Sequence, residues 1–422
     1  MNVHAATPQL TPSETALVDA YGERLSDLPG NGDVTQRRDS AVEMLKRGLP
    51  TRKVEVWHYT DLRRLIGTVP AFDLAARPEP LPVLVEGSSR HVVANGTADA
   101  GDPPEGVAIE RLSRLLAKGE FADELGAVDV DDTVGAINSA LVSDGFSVTV
   151  AEGAEVETPI ELQNLHAGGQ AHSRFSIRVG ANASVTFVER QAGTGASLIS
   201  SVDRMEVGEG ADVRFIVLQE QPEETAHLGQ FHASVGKDAK LSLFLMNTGG
   251  RLVRQEVRVA MSGENGRFEL RGVNLLAGSA HTDVTMILDH AAHGATSTEL
   301  IRNIVTDKAQ GVFQGQIRVA REAQKTDAQM ACNSLILSNE AEFSVKPELE
   351  IFADDVACGH GATATEIDQS HLFYLMARGI PEKEARGLLV KAFLAEVIDE
   401  LEDEALVGVL MERLENWFAE HG

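Results

Sequence analysis

The residue types that point to chemistry stand close together near the C-terminal end, in Cys358-Gly-His360-Gly361. Side chains at i and i+2 of an extended chain project to one face. A thiolate at Cys358 and an imidazole at His360 could therefore reach one metal ion or one sulfur atom together. Before them, Leu349, Ile351 and Ala353 alternate with Glu350 and Phe352, the pattern of a half-exposed strand. Gly359 and Gly361 then permit a tight or bulged backbone around the histidine. A Cys/His pair supplies at most two ligands, so a cluster would need others, and a site shared between two subunits would be built this way.

Other candidates are weaker. Cys332 stands in Ala331-Cys-Asn-Ser334 and reads as a buried, inert thiol. His281-Thr-Asp283, His290 and His293, His166 with His172, and His227 with His232 lack the cysteine or acidic company of zinc and non-haem iron sites at short spacing. They read as solvated or cross-strand histidines. Asp354-Asp355 reads as a structural or interface pair, since neighbours along a strand face opposite ways. Trp57 and Tyr59 read as packing anchors of a small helical region.

The chain has 422 residues and a net charge of −27, so its surface repels phosphate backbones and anionic membranes. Neither nucleic acid nor membrane is expected as a partner. The start, Met1 to Leu10, has no basic and then apolar leader pattern, and no apolar run is long enough to span a bilayer. A cytoplasmic protein is expected. Two cysteines in a chain of this length argue for reduced thiols rather than a disulfide scaffold. Hydrophobic residues make up 43% but aromatics only 5%, a balance that suits an aliphatic, regularly stacked core.

The elements that position the pair are legible in outline. Residues 1–145 read as an N-terminal helical region with short strands. Helices are expected from about Ser13 past Leu25 and from Val34 to Arg47, the second stopping at Gly48-Leu-Pro50. Val83 to Val85 and His91 to Ala94 read as strands, Leu112 to Leu125 as a helix, and Asp131-Asp132 as the cap of another.

Residues 146–367 carry an internal repeat. Gly180-Ala-Asn-Ala-Ser-Val-Thr-Phe187, Gly208-Glu-Gly-Ala-Asp-Val-Arg-Phe215 and Gly236-Lys-Asp-Ala-Lys-Leu-Ser-Leu243 align, with a looser copy from Gly263 and a weaker one from Gly153. Each has a turn glycine followed by apolar residues two apart, so one supersecondary unit is stacked repeatedly. A parallel β-helix fits, and an antiparallel β-sandwich is the competing architecture. Residues 368–422 read as a C-terminal helical domain. Its central helix, Lys383 to Leu401, carries Leu389, Phe393 and Val397 on an apolar face expected to be exposed to a partner.

Three stretches resemble the SufB/SufD family, and within it SufD. They are Lys346-Pro-Glu-Leu-Glu-Ile351 with Ala353-Asp-Asp-Val-x-Cys-x-His-Gly-Ala-Thr363, then Leu372-Phe-Tyr-Leu-x-x-Arg-Gly-Ile380, and the N-terminal Gly48-Leu-Pro-Thr-Arg-Lys-Val-Glu-Val-Trp-His-Tyr-Thr-Asp-Leu62. Gly359 stands where the family usually has Ser, and His58 where it usually has Lys. The resemblance implies a right-handed parallel β-helix flanked by helices, in a non-catalytic scaffold subunit of iron-sulfur cluster assembly. By the same resemblance, SufB pairs with it through the β-helices and the ATPase SufC docks on the C-terminal helices. A homodimer forms when the subunit is isolated, a transient cluster is the cargo, and reduced flavin joins the complex. His360 becomes the candidate cluster ligand and Cys358 a thiol beside it.

No Walker A pattern is present, so ATP hydrolysis belongs to a partner. A polysaccharide-active β-helix enzyme would carry clustered carboxylates at repeat spacing, which are not evident here. A purely structural solenoid is the remaining alternative, and it leaves Cys358 and His360 unexplained.

Overall fold

The computed structural model describes residues 9–126, 129 and 131–421. The leader reading of Met1 to Leu10 falls almost wholly outside these residues. The N-terminal region holds α1 (Pro12–Arg24), α2 (Gly32–Leu45), a 3-10 turn (Glu55–Trp57), α3 (Leu62–Leu65), β1 (Ser89–Ala94), β2 (Thr97–Asp99), β3 (Val107–Arg111), α4 (Leu112–Lys118) and α5 (Thr133–Leu141). Thr11 caps α1 in a full capping box with Glu14, while Ser13, the cap expected from the sequence, lies inside the first turn, and Asp132 caps α5 through Gly135 N as the sequence suggests. Val83 to Val85 is not a strand, and α4 stops at a left-handed Gly119 well before Leu125.

Next come β4 (Asp144–Val150), β5 (Ile160–Val179), β6 (Ser184–Val207), β7 (Asp212–Glu220), β8 (Ala226–Val235), β9 (Lys240–Asn247), β10 (Leu252–Met261), β11 (Arg267–Leu276), β12 (His281–His290), β13 (Thr296–Val305), β14 (Gln310–Val319), β15 (Asp327–Ile336), β16 (Glu342–Ile351) and β17 (Ala357–Thr365). The long β5 and β6 each pass through a corner and serve both rows of the stack. One row continues through β7, β9, β11, β13, β15 and β17, the other through β8, β10, β12, β14 and β16. All of these pairings are parallel, which excludes the antiparallel sandwich and makes the core a parallel β-solenoid.

The repeat explains itself in register. Val185, Val213, Leu241 and Phe268 stack in one inward column, and Phe187, Phe215, Leu243 and Leu270 in the next. The repeat glycines are needed for close approach rather than for a left-handed turn. A Cβ on Gly180 would lie 2.5 Å from Glu152 N, and one on Gly208 2.8 Å from Ala181 N, both in the turn beneath. The positive φ falls two residues later, at Asn182, Gly210, Asp238 and Asn265.

Both outer faces are covered. α1, α2, α5 and Trp57 bury Leu198, Ala226, Leu228 and Leu252 on one side. On the other, α6 (Gln369–Ala377), α7 (Glu382–Asp399) and α8 (Glu404–His421) share a core with Val188, Ile216, Leu218, Phe244, Met246 and Val273. This corrects the expected exposed face of α7. Val397 is 0% exposed, and Leu389 and Phe393 pack partly buried against that same core, with Arg302 4.9 Å over the Phe393 ring. The large apolar side chains that do face solvent on these helices are Phe373, Tyr374, Met376 and Leu388.

Candidate functional site

Cys358 and His360 lie on β17, the last strand of its row. Each earlier strand of the solenoid has a neighbour above and below, whereas β17 pairs only with β15, and β16 only with β14. Their outer backbone groups form an open edge, and β17 is largely exposed. Register sets Cys358 over Ala328 and His360 over Met330, with Cys332 one position further along beneath Ala362. Ala328, Met330 and Cys332 all belong to the inner core. Strand alternation therefore turns Cys358 and His360 toward the mouth of the lumen, side by side.

The two groups differ in setting. Cys358 packs partly buried against the core, and burial pushes its thiol above the ordinary range. His360 is exposed. Among the described residues no three Cys, His, Asp or Glu side chains converge as a metal site, so Cys358 and His360 have no third ligand beside them there. A side chain at Gly359 would meet the tip of Gln329 at 2.9 Å, a flexible neighbour that can give way. Glycine is thus one solution rather than a necessity there. Asp355 is a structural residue, as expected: its carbonyl accepts from Lys325 N at 2.7 Å and its carboxylate pairs with Lys325.

Cys332 is 1% exposed, accepts from Asn303 Nδ2 at 3.4 Å, and is pushed up to about 12, chiefly by burial. A disulfide reagent should therefore modify one thiol per native chain and two after denaturation. The native reaction should accelerate as pH rises past the ordinary thiol range, because the Cys358 thiol is shifted upward. Two fast-reacting thiols in the native protein would contradict this placement.

The histidines are mostly buried rather than solvated, and His166, His172 and His227 bond Ser and Gln side chains of other strands and turns rather than one another. His227 is pulled down to about 3 by burial and bonds Ser201 Oγ at 2.9 Å, and His172 bonds Ser200 Oγ at 2.8 Å. His281 and Asp283 join a buried cluster with Thr60, Arg254 and Glu256, where Arg254 sits 3.8 Å over the Trp57 ring. Trp57 is thus the anchor expected of it. Among the buried acids that escaped notice in the sequence, Glu189, Asp203 and Glu299 stand in otherwise apolar columns, and Glu299 is pushed up to about 8 by burial. Aligning the turns would have revealed them, since Glu189 occupies the column of Val217 and Leu245, Asp203 that of Phe175 and Phe231, and Glu299 that of Leu270 and Met330.

Residues 160–393, more than half of the chain, match the model of the SUF system FeS cluster assembly SufBD core domain. The chain belongs to the SufBD family. An iron-sulfur cluster assembly SufBD family protein of Synechocystis sp. is 30% identical over 412 residues, 89% of either chain. The iron-sulfur cluster assembly protein SufD of Escherichia coli is 28% identical over 408 residues, 92% of this chain and 94% of its own. The chloroplastic protein ABCI7 of Arabidopsis thaliana is 30% identical over 439 residues, 96% of this chain and 92% of its own. Membership of the SufBD family gives the chain a role in iron-sulfur cluster assembly. It also fits the solenoid, since the matched segment runs from β5 into α7.

Proposed function

We propose that this SufBD family member is a SufD-like, non-catalytic scaffold subunit. Its open β16 and β17 edges pair with SufB, its C-terminal helices dock the ATPase SufC, and a nascent cluster forms as transient cargo at the SufB junction. His360 is the ligand this chain contributes, with Cys358 beside it. The observation that carries the reading is the position of the pair. The one Cys/His constellation singled out in the sequence sits on the one unpaired end of its strand row, with no third ligand beside it among the described residues. An edge strand is a template for pairing with another chain, so closing the edge and completing the ligand set are met by the same partner. Without SufB, a second copy can pair on that edge instead, giving the homodimer. The reading places the complex in the cytoplasm, leaves ATP hydrolysis to SufC, and assigns no flavin to this chain. Co-purification from a cell extract with SufB and SufC, and absorbance from iron and sulfide on the assembled complex, test it. A chain that recovers neither partner contradicts it.

Within this reading the docking surface moves from the buried face of α7 to Phe373, Tyr374 and Met376 on α6 and Leu388 on α7. Deleting residues 368–422 is a poor test, because it uncovers Ile216, Phe244, Met246 and Val273 on the solenoid. The double change Phe373→Ala with Tyr374→Ala leaves that core in place. It should abolish SufC co-purification and shift stability by no more than about 0.5 kcal/mol per site, as for exposed positions. Full SufC recovery by the double variant would place the docking surface elsewhere.

A further inference from the structure

The turn built by β6 points two acids into the lumen. Glu189 comes from its first half and Asp203 from its second. Gln191 Nε2 bridges the halves by donating to Glu189 Oε1 at 2.9 Å and to Ser201 Oγ at 3.4 Å, so the two acids, each two residues from a bridged position on the same face, come together across the lumen. Both are buried. Along the axis, Glu189 lies between Leu162 and Val217, and Asp203 between Phe175 and Phe231. The strands packed against them bring no cation into the lumen. From β8, His227 bonds the adjacent Ser201 and is kept neutral by burial. From β5, Arg174 alternates to the outer face, where it bonds Asn138, Ser139 and the Glu124 carbonyl, and it acts on Asp203 only through the sheet. From β7, the facing residue is Val217.

Glu189 Oε1 accepts from Gln191 Nε2 at 2.9 Å. Its other oxygen, Oε2, and Asp203 Oδ1 are both buried without a hydrogen-bond partner, as is the amide Nδ2 of Asn164 on β5, the one further polar group that acts on Glu189. Carboxylates only accept, so two ionised groups here would repel in an apolar surround, while one proton gives both orphaned oxygens a partner. We propose that Glu189 and Asp203 share a single proton, a carboxyl–carboxylate bond across the lumen that ties the two rows of the solenoid together and is released as pH rises. Asp203 is the donor. Burial raises Glu189 too, but Gln191 and Asn164 favour its ionised form, whereas burial followed by the Glu189 charge pushes Asp203 well above the usual carboxylate range.

Linkage fixes the sign. In the unfolded chain both acids ionise near pH 4, while the folded pair retains one proton. The folded state therefore binds one more proton than the unfolded state, and stability falls as pH rises from about 4 toward the pair's own upper pKa. Each amide variant, Asp203→Asn and Glu189→Gln, replaces the shared proton by a fixed N–H donor of the same shape. Denaturant unfolding of the full chain between pH 5 and 9 should show the unfolding constant of the wild type rising relative to either variant by up to about tenfold per pH unit. A ratio that stays flat over this range overturns the proposal. A chelator that destabilises the wild type but not Asp203→Asn overturns it too, because a metal cation would then hold the pair. The wild type alone gives a second readout that needs no variant to fold. At pH 7, infrared spectra with 13C-labelled aspartate should show a protonated aspartic acid carbonyl that survives exchange into heavy water, and its absence contradicts the assignment.

Discussion

Replacing Asp283 by alanine should cost about 3 kcal/mol of stability, the lower end of the loss for breaking a buried ion pair, because Arg254 keeps Glu256 as a counter-charge while Thr60 and one side of the guanidinium lose this partner. Arg254 is 0% exposed and donates to Asp283 Oδ2 at 2.5 Å, to Glu256 Oε1 at 2.8 Å and to the Val56 carbonyl at 2.9 Å. Asp283 also accepts from Thr60 and, at 2.9 Å, from Thr285 Oγ1. Two adjoining turns of the solenoid, β10 and β12, thus hold the 3-10 turn and Thr60 of the N-terminal region through one aspartate. Denaturant unfolding should reveal the loss, and limited proteolysis should cut near Val56 first. A variant within 1 kcal/mol of wild type would mean that the apolar contacts of Trp57 hold this segment alone.

His360→Ala should reduce cluster formation on the assembled complex at least tenfold, the order seen when a metal site loses a group that orients or binds the ion. Stability and subunit assembly should stay near wild type, because an exposed residue on an edge strand contributes little packing. Cys358→Ser should be milder. Its thiol is half withdrawn into the core and pushed up by burial, so it begins as the protonated, weaker ligand while the partner's ligands remain. Cluster assembly with ATP present, followed by absorbance, separates the two variants. If Cys358→Ser is the more damaging, the roles of thiol and imidazole are reversed.

The repeat was legible because its glycines recur where neighbouring turns approach most closely, and because Phe187, Phe215 and Leu243 repeat in register. The second row of strands was not separable from the first. β8 and β10 are buried on both faces, by the lumen and by the N-terminal helices, so the alternation that marks a half-exposed strand disappears. Leu389, Phe393 and Val397 showed that α7 has an apolar face but not which body covers it. The solenoid does, because Val273 and Ile304 are apolar on the outside of the stack. Cys358 and His360 were found by type and spacing, whereas their place on an unpaired edge follows only from the register of the whole stack. The buried polar clusters were hidden for a different reason: Arg254, Asp283 and Thr60 converge from distant parts of the chain and form no local motif.

The assignment of His360 is most directly tested by labelling histidine with 15N in this chain alone, assembling the complex with its partners, loading iron and sulfide, and recording pulsed EPR of the reduced cluster. A directly bound imidazole should give a 15N coupling that is present with the wild-type chain and lost with His360→Ala, while the fold and assembly are retained. A cluster that forms on the wild-type complex without any 15N coupling from this chain would contradict ligation by His360 and leave the edge strand as a pairing surface only.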